Sequence, residues 1–213
     1  MKRDKIMRIV KEHDERKNEI IDTASCIFAQ KGYDKTSVND ILNAIGIAKG
    51  TFYHYFKSKE EVLDAVIAKA TDMIAQQAEE VINNSGMSPE DKLLGVFMSM
   101  QIENQMEEGL LEEMHRPENA LMHQKSLVSV INVLTPMLTQ VVKEGIEKEV
   151  FHSEYPEQYM QIFMASATTL LDDGIFQVEK GKQEKLFEAL ISLLEKMLGV
   201  ENGSFISKAK ENL

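Results

Sequence analysis

From residue 49 to residue 59 the chain reads KGTFYHYFKSK, a run of hydrogen-bond donors set at helical spacing. Lys49, Lys57 and Lys59 offer ammonium groups, Thr51 and Tyr53 hydroxyls, and His54 an imidazole. These groups suit phosphate oxygens and the edges of bases. Gly50 has no Cβ, so a nucleic-acid backbone can come close to the helix at that point. Phe52 and Phe56 are four residues apart and share one face, which can anchor the helix on an apolar core. The chemistry on offer is recognition of a polyanion and not bond making. The competing reading of so aromatic a stretch is plain core.

Such a helix needs a platform, and the preceding sequence supplies one. Apolar residues at Ile20, Ile21, Ala24, Ile27 and Phe28 predict a helix from about Asp14 to Lys31. Gly32 is placed to end it in a left-handed residue, with Phe28 and Tyr33 making the accompanying apolar contact. Ser37 and Asp40 then predict a capping box, followed by inward-facing Val38, Ile41, Leu42 and Ile45. Gly46 closes this helix, with Leu42 against Ile47. A third helix covers Lys49 to Phe56, and Ser58 with Glu61 starts a fourth that runs to about Asn83. Two short helices around a glycine turn are the layout of a helix-turn-helix whose second helix enters the DNA major groove. The N-termini of the second and third helices can also aim amides at phosphates, and Thr36 and Ser37 sit at one of them.

Taken in order, F-A-Q-K-G-Y at 28–33, T-S-V-N-D-I at 36–41, G-I-A-K-G-T-F-Y-H-Y-F at 46–56 and K-S-K-E-E-V-L at 57–63 resemble the TetR family of bacterial transcription regulators. The resemblance covers about residues 15–63. It implies DNA contacts at Thr36, Lys49, Gly50, Thr51, Tyr53, His54 and Lys59, to which the residues themselves add Ser37 and Lys57. Ala48 departs from the family, where many members have Ser, and makes a weaker N-cap by about 1 kcal/mol. The resemblance further implies an all-helical C-terminal domain that dimerises and binds a small ligand.

Composition fits this. The 213 residues carry a net charge of −11, but unevenly. Residues 1–60 hold 12 Lys+Arg against 9 Asp+Glu, and the remainder holds 12 against 26. A mildly basic head on an acidic body suits a protein that meets phosphates at one end. The basic residues Lys2, Arg3, Lys5, Arg8 and Lys11 are an arm that could follow a duplex or a solvated helical extension. No apolar run reaches the ~18 residues of a membrane span, and the N-terminus has no apolar signal core. With the single cysteine, Cys26, expected to be a small buried residue, the chain is expected to be cytoplasmic.

The body is helical in pattern. Breaks are expected at residues 83–86, near Gly109, at Arg116-Pro117 and from Phe151 to Pro156, with Pro136 kinking or starting a helix. Two long last helices are predicted, from Pro156 to about Lys180 and from Gln183 to Leu198. Tyr159, Ile162, Phe163, Ser166, Ala167 and Leu170 on the first, with Phe187, Leu190 and Leu194 on the second, form faces that a two-fold axis could double into a four-helix dimer interface. The alternative is that they pack on the body. Eleven of the 13 methionines follow residue 70, and Met98, Glu103, Met106 and Met122 are candidates for an adaptable, partly apolar effector pocket. The five histidines show no metal spacing, and no phosphate-binding, dinucleotide or nucleophile motif occurs, so neither cofactor nor catalysis is expected.

The expectation is therefore an all-α protein. Residues 1–60 form a helix-turn-helix DNA-binding domain, and residues 61–213 a helical effector-binding and dimerisation domain. The function that follows is a ligand-responsive repressor binding a palindromic operator as a homodimer. The alternatives are a DNA-binding regulator controlled by a protein partner, or a helical small-molecule-binding protein or enzyme with an incidental helix-turn-helix.

Overall fold

The computed structural model describes residues 2–99, 115–176 and 179–211. Among these it is all helical: α1 (Lys2–Lys31), α2 (Val38–Ile45), α3 (Lys49–Tyr55), α4 (Lys59–Ile82), α5 (Pro89–Ser99), a 3-10 turn (Pro117–Asn119), α6 (Ala120–Glu147), α7 (Pro156–Leu170), α8 (Lys180–Leu198) and α9 (Ser204–Glu211). The chain divides into two compact units, Met1–Ala70 with Glu107–Ser126, and Thr71–Met106 with Leu127–Leu213. A division by function at residue 60 and this division by packing are not the same line.

The first unit is built as the capping signals dictate. Gly32 is left-handed (φ 89°), and the Phe28 and Tyr33 rings meet edge to face with centroids 5.2 Å apart. Ser37 and Asp40 form the full capping box of α2, and Gly46 (φ 77°) ends it with its N–H on the Leu42 carbonyl. Ile20, Ala24, Phe28, Ile41, Phe52, Val62 and Leu63 are buried together as its core. The helix before them is longer than expected, since α1 already begins at Lys2. Cys26 corrects its expectation: it is exposed, because its position on α1 falls opposite the buried Ile20–Ala24–Phe28 stripe.

In the second unit, Ala78, Leu93, Leu134, Leu138, Val141, Met160, Phe163, Leu194 and Phe205 share one core. Ser88 caps α5 through the Asp91 amide, with Pro89 at the first helical position. Lys92 is buried and its ammonium lies 2.8 Å from Glu144, tying α5 to α6. Pro136 lies inside α6 and does not start it. Helix α7 ends at Leu170, ten residues short of expectation, because Asp172 draws the Gly174 and Ile175 amides into a turn at 2.8 and 3.1 Å. Helix α8 accordingly begins three residues early, at Lys180. Helix α9 was not foreseen. Its start is capped from afar by buried Glu195, which accepts the Gly203 and Phe205 amides at 2.8 and 2.9 Å. Pro117–Glu147 is, among the described residues, long and apolar enough to cross a membrane by length and composition, which amends the expectation of no such stretch. Its Leu134, Leu138, Val141 and Val142 are buried in protein core.

Candidate nucleic-acid interface

Helix α3 is divided between two tasks. Phe52 and Phe56 are 0% and 2% exposed and hold it on α1, α2 and α4 within the core of the first unit. Lys49, Gly50, Tyr53 and His54 face outward, and Thr51 is half buried. Tyr53 is 47% exposed, with its ring edge to face against Phe52 at 5.3 Å. The Lys49 ammonium lies 5.8 Å from the Tyr53 ring centroid, so a cation and a phenol are presented side by side. A Cβ built on Gly50 would meet nothing within 4 Å, which leaves open the approach its sequence position suggests. Ala48 starts the helix in extended backbone without a side-chain cap, as its methyl requires.

His54 has a neighbour that the sequence motif does not include. Its ring stands 5.0 Å from Tyr55 and 5.7 Å from His13 of α1, and His13 lies 4.6 Å from Tyr55. Three rings from two helices thus brace the exposed end of α3. Helical spacing within α3 carries no trace of a partner 41 positions earlier, and His13 precedes the motif altogether.

Three of the expected contact residues also bond within the head. Thr36 is 2% exposed and its Oγ1 donates to the Gly32 carbonyl at 2.7 Å, so its hydroxyl stabilises the α1–α2 turn instead of facing a phosphate. Ser37 gives both its amide and its hydroxyl hydrogen to Asp40 Oδ2, each at 2.7 Å, while its Oγ accepts the Asp40 amide. Lys59 donates to the Tyr33 carbonyl at 2.7 Å and sits 4.1 Å over the Tyr33 ring; burial lowers its pKa, against the opposing pull of Asp34. Lys57 is exposed beyond α3, in keeping with a phosphate contact, and its amide donates to the Glu61 carboxylate. The electrostatics of the α2 start are set by Asp40, held well below the usual carboxylate range by hydrogen bonds from Lys31 and then Ser37.

Two segments of the chain match descriptions of one kind of protein. Residues 20–66 match "Bacterial regulatory proteins, tetR family", and residues 102–193 match "Tetracyclin repressor-like, C-terminal domain". The chain belongs to the TetR family. Among curated TetR-like relatives it is 34% identical over 84 residues to the HTH-type transcriptional repressor KstR2 of Mycolicibacterium smegmatis, covering 39% of this chain and 40% of that protein. It is 29% identical over 143 residues to the fatty acid metabolism regulator protein of Bacillus subtilis, covering 62% and 70%. The chain spans less than half the length of the KstR2 relatives it matches. In fold it resembles RolR in complex with resorcinol, with TM-score 0.65, 18% identity and 92% and 93% coverage. A tetR-family regulatory protein from Rhodococcus RHA1 superposes with TM-score 0.56 at 16% identity, covering 87% and 97%.

The residues expected at a TetR-type dimer interface separate into two sets. Ile162 and Phe187 are 51% and 42% exposed, and Tyr159, Ser166, Ala167 and Leu170 are half buried. Phe163, Leu190 and Leu194 are buried within the second unit, where the chain's own core covers them. Of the pocket candidates, the side chains of Met98, Glu103 and Met106 fall outside the described residues. Met122 is placed elsewhere: it is 8% exposed in the core of the first unit, because α6 begins there.

Proposed function

We propose that this chain is a transcription regulator that binds a palindromic operator as a homodimer through α3 and releases it when a small effector occupies the second unit. The observation that carries the reading is the divided helix α3: two phenylalanines buried at its back, and Lys49, Gly50, Tyr53 and His54 exposed at its front. Lysine, phenol and imidazole presented together on one seven-residue helix suit phosphates and base edges. Two such helices must reach successive major grooves, about 34–36 Å apart, which calls for a two-fold dimer. Ile162 and Phe187 supply exposed apolar surface for it.

Repression is supported by the KstR2 relatives, whose names describe transcriptional repressors. A partly apolar organic effector is supported by the fold it shares with RolR, which holds resorcinol. The reading carries a cytoplasmic location with it, because that is where a bacterial operator lies. The test is selection of duplexes from a randomised pool by the full chain, followed by fluorescence anisotropy. The reading expects an inverted-repeat consensus bound at least a thousandfold more tightly than unrelated DNA, near the low end of the usual specificity range. No enrichment over a bare matrix would sink it.

A further inference from the structure

Residues 115–126 stand far along the chain from the helix-turn-helix but belong to the same compact unit. They grip the turn that joins α1 to α2. The Tyr33 amide donates to Asn119 Oδ1 at 2.7 Å, and Asn119 is fully buried. The next amide, of Asp34, donates to the Glu118 carbonyl at 3.0 Å. The Lys35 ammonium pairs with the Glu118 carboxylate, which this partner pulls below its ordinary pKa. A Cβ on Gly32 would stand 2.7 Å from Glu118 Cβ, so the two backbones approach as closely as a glycine allows. On the following helix, Met122 enters the core and Lys125 bridges Glu60 and Asp64 of α4 at 2.8 and 2.7 Å.

The gripped turn governs both flanks of the recognition helix. Its Gly32 carbonyl holds Thr36, which leads into α2, and its Tyr33 carbonyl and ring hold Lys59, where α4 begins after α3. Buried polar groups of this kind hold a single arrangement only while each partner is present. We propose that Asn119 is a positioning residue for DNA binding: by accepting the Tyr33 amide it sets the direction in which α2 and α3 leave α1. The proposal rests on the DNA-binding reading above. It adds to the head a residue that lies outside the segment 20–66 matched to "Bacterial regulatory proteins, tetR family".

The test uses the full chain and a duplex selected by the wild type from a randomised pool. Asn119→Ala removes the acceptor, and Asn119→Asp keeps it. Expected are a tenfold or greater loss of affinity for Asn119→Ala, affinity within threefold of wild type for Asn119→Asp, and helical circular dichroism in both. Because coupling is reciprocal, the duplex should also slow hydrogen exchange at the Tyr33 and Asp34 amides of the wild type. A purely structural asparagine would give these two amides no more added protection by DNA than other core amides of the head receive through general stabilisation. Affinity of Asn119→Ala within twofold of wild type overturns the proposal, as does exchange at these two amides that the duplex slows no more than at other core amides of the head. Should Asn119→Ala not fold, Asn119→Asp and the wild-type exchange decide. A wild type that enriches no duplex defeats the DNA-binding reading itself, a different result from a wild type that binds and an Asn119→Ala that binds equally.

Discussion

Tyr53 and Thr36 both carry hydroxyls within the same motif, and their surroundings give them opposite roles. Tyr53 is 47% exposed, so its O–H is free to reach a phosphate, where a hydrogen bond to a charged group is worth about 1.5–3 kcal/mol. Tyr53→Phe should therefore weaken binding by about tenfold, for selected and unrelated duplexes alike, in low-salt anisotropy. Equal affinity of variant and wild type for both duplexes would remove Tyr53 from the interface. Lys49→Ala should lower the slope of log affinity against log salt by about 1, the signature of a lost phosphate contact. Thr36→Val should leave that slope alone and instead cost about 1 kcal/mol in thermal melts, because its hydroxyl serves the buried Gly32 carbonyl. Lys59→Ala should likewise cost stability, because one of its three ammonium hydrogens serves the Tyr33 carbonyl. Lysine and threonine in a DNA-binding motif are legible as donors, but which way a donor points depends on which acceptors the fold brings to it.

Helix ends carry the next set of expectations. The α2 capping box makes Ser37→Ala cost about 1 kcal/mol of head stability. Gly32→Ala should cost more, about 2 kcal/mol or above, since it adds left-handed strain of ~1–2 kcal/mol to a Cβ placed 2.7 Å from Glu118 Cβ. Both are checked by urea denaturation. Asp40 also gives α2 a pH dependence. Lys31 and Ser37 stabilise its carboxylate, so the folded chain ionises it below the ordinary 3.8. A depressed carboxylate adds stability that is full above its ordinary value and fades as pH falls through the folded one. Asp40→Asn should thus destabilise the wild type clearly at pH 7 and progressively less below about pH 4, near the ordinary aspartate pKa. A deficit that stays constant down to pH 2 would show that the charge is not what matters. These caps were legible because they are local: Ser-x-x-Asp and a following glycine lie within one turn of the backbone they serve. The α7 terminus was misplaced because Asp172 ends the helix through a turn that helical periodicity does not mark.

For the whole molecule, the question is which apolar surface serves the fold and which serves assembly. Leu194 is 0% exposed in a single chain, so Leu194→Ala should cost about 2–5 kcal/mol of stability. Ile162 and Phe187 lie half exposed, and Ile162→Glu with Phe187→Glu should yield a folded monomer in sedimentation velocity, with weakened binding to an inverted repeat but not to a single half-site. A double variant that still sediments as a dimer would move the interface elsewhere. Periodicity places Phe163, Leu190, Leu194, Ile162 and Phe187 on apolar helix faces alike. It cannot divide them, because the division depends on how α7 and α8 pack in the second unit.

The sequence alone determined the helical class, the order of the three head helices, their caps, and the inner and outer faces of α3, since each follows from spacing within a few residues. Tertiary structure alone decided that Lys59 reaches back to the Tyr33 carbonyl. It brought His13 beside His54 and placed Asn119, 86 positions from Tyr33, at the turn before α2. The reason is the range of the forces. Helix periodicity and capping act along a few turns of chain, whereas a buried amide takes whichever acceptor the fold carries to within 3 Å, and that choice is written in no local pattern.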